Sequence, residues 1–188
     1  MKTIILHGSP HPLGNSSTLA EYFLRGLGEE NAEHFYANDM RIRPCQGCEK
    51  CAASLKTYCA VEDDMQKIYA AFIAAEVVVF ATPMYWGYMT AQMKAVMDRM
   101  EAITQHFRGK KFVVLITYRY HCESTVAFFK RVCPYFGVDL HVLTCRTMDE
   151  QERDVPITSL PGKLQEAYEL GRKIYQTGES HESVSDRT

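Results

Sequence analysis

Long hydrophobic runs are missing from this chain: none approaches the roughly 20 apolar residues that cross a bilayer. Charge of one sign is missing too. With 21 Lys and Arg against 23 Asp and Glu, the formal net charge is −2, which recommends neither a nucleic-acid nor an anionic-membrane partner. Met1-Lys2 runs straight into Thr3-Ile4-Ile5-Leu6-His7, strand-like and without the apolar core and cleavage site of an export signal. The seven cysteines are an odd number, ill suited to a disulfide framework. The expectation is a cytoplasmic, reduced protein. Also absent are the G-x-G-x-x-G and G-x-x-x-x-G-K-[ST] fingerprints, a nucleophile elbow, a metal-hydrolase motif and any internal repeat. A dinucleotide Rossmann site and a P-loop are thereby disfavoured.

What is present is 188 residues, 46% hydrophobic, enough for one sizeable core and too little for two comfortable domains. Three continuous apolar runs rich in β-branched residues, at 3–7, 77–81 and 112–117, suit strands covered on both faces. Weaker strand candidates lie at 33–37 and 140–145. Between them the period becomes helical. Met65, Ile68, Tyr69, Phe72 and Ile73 share one face, as do Met89, Met93, Val96, Met97 and Met100. Similar stripes run through 19–27, 126–136 and 164–175. Five alternations of strand and helix predict a doubly wound α/β sandwich. Residues 1–177 form its one domain, with a cysteine-rich insertion at 44–60. The tail 178–188 has no apolar period and is expected to be disordered.

In open α/β sheets, ligands bind beyond the carboxyl ends of the strands. The first such loop, Gly8-Ser9-Pro10-His11-Pro12-Leu13-Gly14-Asn15-Ser16-Ser17-Thr18, opens a helix near Ser16. Glycines for tight turns, hydroxyl donors and a helix N-terminus together make a phosphate cradle; the plainer reading is a polar turn with an N-cap. The second loop, Thr82-Pro83-Met84-Tyr85-Trp86-Gly87, carries the chain's one tryptophan after its central strand. It is suited to flank a flat ring, or else to plug a core or an interface.

Cys45, Cys48, Cys51 and Cys59 fall within fifteen residues as C-x2-C-x2-C-x7-C. Thiolates this crowded are ligands of a soft centre or members of a redox relay. Zinc usually takes two C-x2-C pairs, and the second is missing. A [4Fe–4S] cluster needs three close thiolates and a fourth nearby, which the segment offers. Redox-active thiols are the other reading. Cys122, Cys133 and Cys145 are scattered and read as structural. The seven histidines form no ligand spacing, and Asp63 reads as a helix cap.

Three stretches recur together in one group: Gly8-Ser9-Pro10 with Gly14-Asn15-Ser16, the cysteine segment running into Val61-Glu62-Asp63-Asp64-Met65, and Thr82 to Gly87 continuing through Met93-Lys94-Ala95-Val96-Met97-Asp98-Arg99. In these the chain resembles the flavodoxin-like NAD(P)H-dependent FMN reductases, nearest their iron–sulfur flavoprotein branch. The resemblance implies a three-layer sandwich with a five-stranded parallel sheet of order 2-1-3-4-5, one FMN, and NAD(P)H as co-substrate. It implies that Ser9, His11, Asn15, Ser16 and Ser17 hold the phosphate, and that Pro83, Met84, Tyr85, Trp86 and Gly87 lie against the isoalloxazine. Thr117, Tyr118 and Tyr120, in a third loop bulkier than the family's glycine-rich one, would reshape one side of the ring. His11 stands where relatives often have arginine. Cys45, Cys48, Cys51 and Cys59 would carry a [4Fe–4S] cluster, and the chain would assemble as a homodimer or homotetramer. The expected function is hydride transfer from NAD(P)H to FMN and onward to an acceptor. The alternatives are an electron carrier serving a protein partner and a dimeric thiol sensor.

Overall fold

The computed structural model describes residues 1–29, 31–51 and 59–185, with 178–185 described by backbone course alone. In chain order the elements are β1 (Thr3–His7), α1 (Asn15–Leu27), β2 (Glu33–Tyr36), α2 (Met65–Ala74), β3 (Val77–Tyr85), β4 (Tyr88–Met89), α3 (Ala91–Arg99), β5 (Lys111–Tyr118), α4 (Glu123–Phe136), β6 (Asp139–Arg146) and α5 (Pro161–Ser185). The sheet runs β2-β1-β3-β5-β6, every neighbouring pair along that path parallel. This is the expected 2-1-3-4-5 order once β4 is set aside, a two-residue strand that folds back antiparallel on the end of β3.

The apolar runs are continuous because both faces of the sheet are covered. Successive side chains alternate, so Ile4, Leu6, Val78, Phe80 and Val114 join one core with Phe72 of α2, Met93 of α3 and Phe129 of α4. Ile5, Val79, Val113 and Leu115 join the other, with Phe23 of α1 and Ile174 of α5. On that second face α1 and α5 touch through glycines. A Cβ on Gly26 would lie 1.9 Å from the Tyr168 carbonyl oxygen, and one on Gly171 would lie 2.1 Å from that of Phe23. The two backbones therefore meet at a distance no side chain could share.

Two expectations are corrected. The helix bearing the methionine stripe starts at Ala91, not before Met89, because the Thr90 hydroxyl caps it by accepting the Met93 N–H at 3.2 Å. Tyr88 and Met89 form β4 instead. The tail expected to be disordered from 178 continues α5 to Ser185, since a nucleated helix propagates through a polar stretch that contains no proline. Residues 186–188, and 52–58 of the cysteine insertion, lie outside the described residues.

Candidate functional site

Because the strands are parallel, their carboxyl ends share one edge, and there a cleft of about 840 Å³ opens. Its walls come from four connections: Ser9, His11, Gly14, Asn15 and Ser16 after β1; Pro83, Met84, Tyr85, Trp86 and Gly87 after the sheet-paired part of β3; Thr117, Tyr118, Arg119, Tyr120 and His121 after β5; and Thr147 with Asp154 after β6. Of the thirteen side chains expected at a cofactor, twelve line this cleft. Ser17 does not.

The first wall is built by the start of α1. The Thr18 N–H bonds to the Gly14 carbonyl at 3.0 Å, so the N–H groups of Asn15, Ser16 and Ser17 precede the first helical bond and have no partner within the helix. The loop before them is folded tightly: the Ser9 hydroxyl accepts the His11 N–H at 3.0 Å, and the His11 carbonyl accepts the Gly14 N–H at 3.0 Å. Three free N–H groups at the positive end of a helix dipole suit an anion. Two side chains expected to contact it are otherwise engaged. The Ser17 hydroxyl is buried and hydrogen-bonded to His7 Nδ1 at 3.2 Å. The Asn15 amide reaches the loop after β6, accepting the Ile157 N–H at 2.9 Å and donating to the Val155 carbonyl at 3.4 Å. At both positions the side chain is taken up by the protein itself, which leaves the backbone N–H of the helix's first turn as the donor.

Beneath this loop, His7 is wedged between Ser17 and His34, its Nε2 3.0 Å from His34 Nδ1, and its ring stacks on Tyr36 at 4.2 Å. Burial, with the neighbouring His34 adding to it, lowers the His7 pKa to about 4. The histidine is neutral there, and the floor of the loop carries no charge of its own.

The second wall is a two-residue hairpin. Trp86 and Gly87, its central residues, have φ of 52° and 78°, the left-handed pair that a type I′ turn demands. A tryptophan in that region costs about 1–2 kcal/mol, and surrounding contacts hold it: the Met89 N–H donates to Thr125 Oγ1 at 3.0 Å, and Ser124 Oγ donates to the Gly87 carbonyl. Trp86 is fully exposed and Tyr85 half so, which excludes the core-plug reading. The third wall rises opposite, with Thr117 buried, Tyr118 half-buried and Tyr120 exposed. It is braced from β6, where the Thr147 N–H bonds to the Tyr118 carbonyl at 2.9 Å and Arg146 Nε to the Arg119 carbonyl at 3.1 Å. Arg119 and Asp154 form an ion pair across the third and fourth walls.

Reading the sequence missed Arg119, His121, Thr147 and Asp154 as lining residues. Arg119 and His121 sat inside a loop already singled out, but nothing near Thr147 or Asp154 signals that the segment after β6 folds back over the cleft. The donor set fits a phosphomonoester at one end, and the flat, largely apolar hairpin fits a planar ring at the other.

The four clustered cysteines lie elsewhere. Cys45 and Cys48 are exposed, while Cys51 and Cys59 are half-buried and pack against the first core. Among the described residues, no three His, Cys, Asp or Glu side chains are gathered to hold a metal. The placement therefore does not fit a formed cluster site. What is built is the frame around the segment. The buried Arg99 guanidinium donates to the Arg43 and Val61 carbonyls, both at 2.9 Å, and to both oxygens of Asp63 at 2.9 and 3.2 Å. Asp63 also accepts the N–H groups of Arg43 and, as expected of a cap, Met65. Burial pushes the Asp63 carboxyl up, but these hydrogen bonds outweigh it and hold it below the usual carboxylate range. One ion pair thus ties together both stems of the cysteine segment. Cys122, Cys133 and Cys145 are buried; burial raises all three thiols, Cys133 to about 12, which keeps them protonated and inert.

An iron–sulfur flavoprotein of Methanocaldococcus jannaschii is 33% identical over 110 residues, 57% of this chain and 56% of the relative. An iron–sulfur flavoprotein of Archaeoglobus fulgidus is 37% identical over 111 residues, 56% of this chain and 55% of the relative. The chain spans about half the length of the curated relatives it matches. Among solved structures, an NAD(P)H:quinone oxidoreductase from Methanothermobacter marburgensis superposes with a TM-score of 0.70 at 18% identity, covering 93% of this chain and 96% of that one; this likeness speaks for the flavodoxin-like fold. The family model for NADPH-dependent FMN reductase matches residues 1–144. By that match over most of its length, the chain belongs to the NADPH-dependent FMN reductase family.

Proposed function

We propose that this protein is an FMN-dependent oxidoreductase that takes hydride from NAD(P)H and passes the electrons to a small-molecule acceptor. The observation that carries the reading is the cleft at the strand ends, with N–H groups of α1 that have no partner within the helix at one end and an aromatic hairpin at the other. FMN, when bound, supplies the hydride and electron chemistry. The chain supplies placement. Ser9, His11 and Ser16, with the N–H groups of Asn15 to Ser17, hold the phosphate; Pro83 to Gly87 orient the ring; Thr117, Tyr118 and Tyr120 close the opposite side and exclude water. No side-chain acid or base is needed. Steady-state oxidation of NADH and NADPH with a quinone or free flavin as acceptor tests this. Turnover supports the reading. Failure to oxidise either nucleotide, with flavin bound, opposes it.

The finer features of the reading are supported by the family and by surface character. Trp86 and Tyr120 are exposed in the cleft wall, and Leu13 is exposed in the loop after β1, the kind of apolar surface that favours a homodimer or homotetramer. No helix among the described residues is long and apolar enough to cross a membrane, and a cytoplasmic location with no nucleic-acid partner remains our proposal. A second reading, an electron carrier serving a protein partner, draws on the same rim and on the names of the curated relatives. A [4Fe–4S] cluster on Cys45, Cys48, Cys51 and Cys59 would belong to that reading. Its support is the spacing and those names, not the present placement of the thiols, so no step is routed through it.

A further inference from the structure

Among the described residues, Arg119 is the one lysine or arginine lining the cleft, and Asp154 the one carboxylate. The two are paired, so the cleft's one permanent cation is neutralised before any ligand enters. The pair is exposed, with side-chain accessibilities of 62% and 54%, and exposed ion pairs contribute little to stability. Releasing it costs little. Its position is less casual. Asp154 precedes Val155, whose carbonyl accepts from the Asn15 amide at 3.4 Å, and the Ile157 N–H is bonded to that same amide at 2.9 Å. Asp154, and the guanidinium it holds, therefore ride on the backbone stretch that is stitched to the first residue of α1. On the other side, Arg119 projects from a backbone fixed to β6 through its own carbonyl and that of Tyr118. Among the described residues, the anion cradle itself contains no lysine or arginine, but N–H groups, hydroxyls, His11 and Asn15. A phosphomonoester carries close to two negative charges, and a guanidinium fork is the side chain best matched to it.

We propose that Arg119 is a phosphate-recognition residue, parked on Asp154 and transferred to a phosphomonoester dianion when one seats on the N-terminus of α1. The proposal rests on the reading that this dianion is the phosphate of FMN. Exchange of one anionic partner for another leaves Arg119 paired in both states, so the cation is never left without a counter-charge. Asp154 then faces solvent, where a lone carboxylate costs nothing. The arrangement also biases the cleft against neutral flavins, which leave the parked pair in place.

The test is equilibrium titration of the full-chain apoprotein with FMN and with riboflavin, followed by flavin absorbance, for the wild type, Arg119→Met and Asp154→Asn. Both positions are exposed loop residues, so folding is not at stake. A charge-assisted hydrogen bond is worth about 1.5–3 kcal/mol, so Arg119→Met is expected to weaken FMN roughly ten- to hundredfold. Riboflavin affinity should be unchanged. Asp154→Asn should bind FMN at least as tightly as the wild type, because it frees the guanidinium and removes a negative charge. Equal weakening of both flavins by Arg119→Met, or of neither, overturns the proposal. So does an Asp154→Asn variant that loses FMN as severely as Arg119→Met, which would make the pair a structural brace. If the wild type binds neither flavin, the FMN reading fails on its own. Inorganic phosphate, followed by the amide resonances of Asn15, Ser16 and Ser17, then decides: weaker binding in Arg119→Met supports the role of Arg119, and equal binding rejects it.

Discussion

His7 ends β1 directly beneath the anion cradle, and its lowered pKa makes it the residue whose protonation the fold resists most clearly. The unfolded chain takes up this proton near pH 6.5 and the folded chain only near pH 4, so between those values acid favours unfolding. His34 faces His7 directly and adds to the penalty, with Ser17 and Tyr36 completing the contacts. The His7 contribution is complete above pH 6.5 and lost as pH falls toward 4. A shift of this size amounts to about 3 kcal/mol. Urea unfolding at pH 7 and pH 4.5 should show a loss in the wild type that shrinks by about 2 kcal/mol, the part of the shift realised by pH 4.5, in His7→Gln, which keeps a donor and an acceptor without the titration. Equal losses in the two proteins would remove His7 from the account. The same corner shows what sequence could not convey at this scale. Ser9, Asn15, Ser16 and Ser17 read alike as hydroxyl or amide donors in a glycine-bounded loop. That Ser17 turns down to His7 and Asn15 turns aside to the Ile157 backbone depends on partners up to 142 positions away.

Helix α3 links the two regions that the sequence singled out. At its start the Thr90 hydroxyl donates to the Gly8 carbonyl at 2.6 Å, bracing the cradle loop. At its end Arg99 clamps both stems of the cysteine segment through Asp63. Asp98-Arg99 was legible as part of a family motif, but its task was not, because the clamp joins residues 43, 61, 63 and 99 from three separate stretches. Removing one partner of a buried ion pair typically costs about 3–5 kcal/mol; Arg99→Met should lose that much in urea unfolding by leaving the Asp63 carboxylate stranded. The double variant Arg99→Met with Asp63→Leu should recover a substantial part of the loss, since no unpaired charge remains. A double variant no more stable than the single one would mean that the hydrogen bonds to the Arg43 and Val61 carbonyls, not the ion pair, hold the segment. Other elements departed from expectation for local reasons. Trp86-Gly87 turned an anticipated loop into a hairpin, and the Thr90 cap moved the helix start past Met89.

For the whole molecule, the doubly wound sheet was readable because its central strands are buried on both faces and therefore carry unbroken apolar runs, while its helices carry stripes. Three of the cleft's four walls were readable for the related reason that ligand loops follow strand ends in such sheets. The fourth wall, and the α1–α5 contact through Gly26 and Gly171, were not, since each depends on the chain's C-terminal third folding back on its first thirty residues. The central claim is that this cleft binds FMN by its phosphate at one end and its ring at the other. Trp86, the chain's one tryptophan, stands at the rim of the cleft and reports occupancy directly. The decisive measurement is its fluorescence during titration of apoprotein with FMN and with riboflavin. The account expects saturable quenching by FMN at one equivalent per chain, and for riboflavin an affinity weaker by on the order of tenfold or more, the value of one charge-assisted contact. No quenching at saturation, or equal affinity for the two flavins, would contradict it.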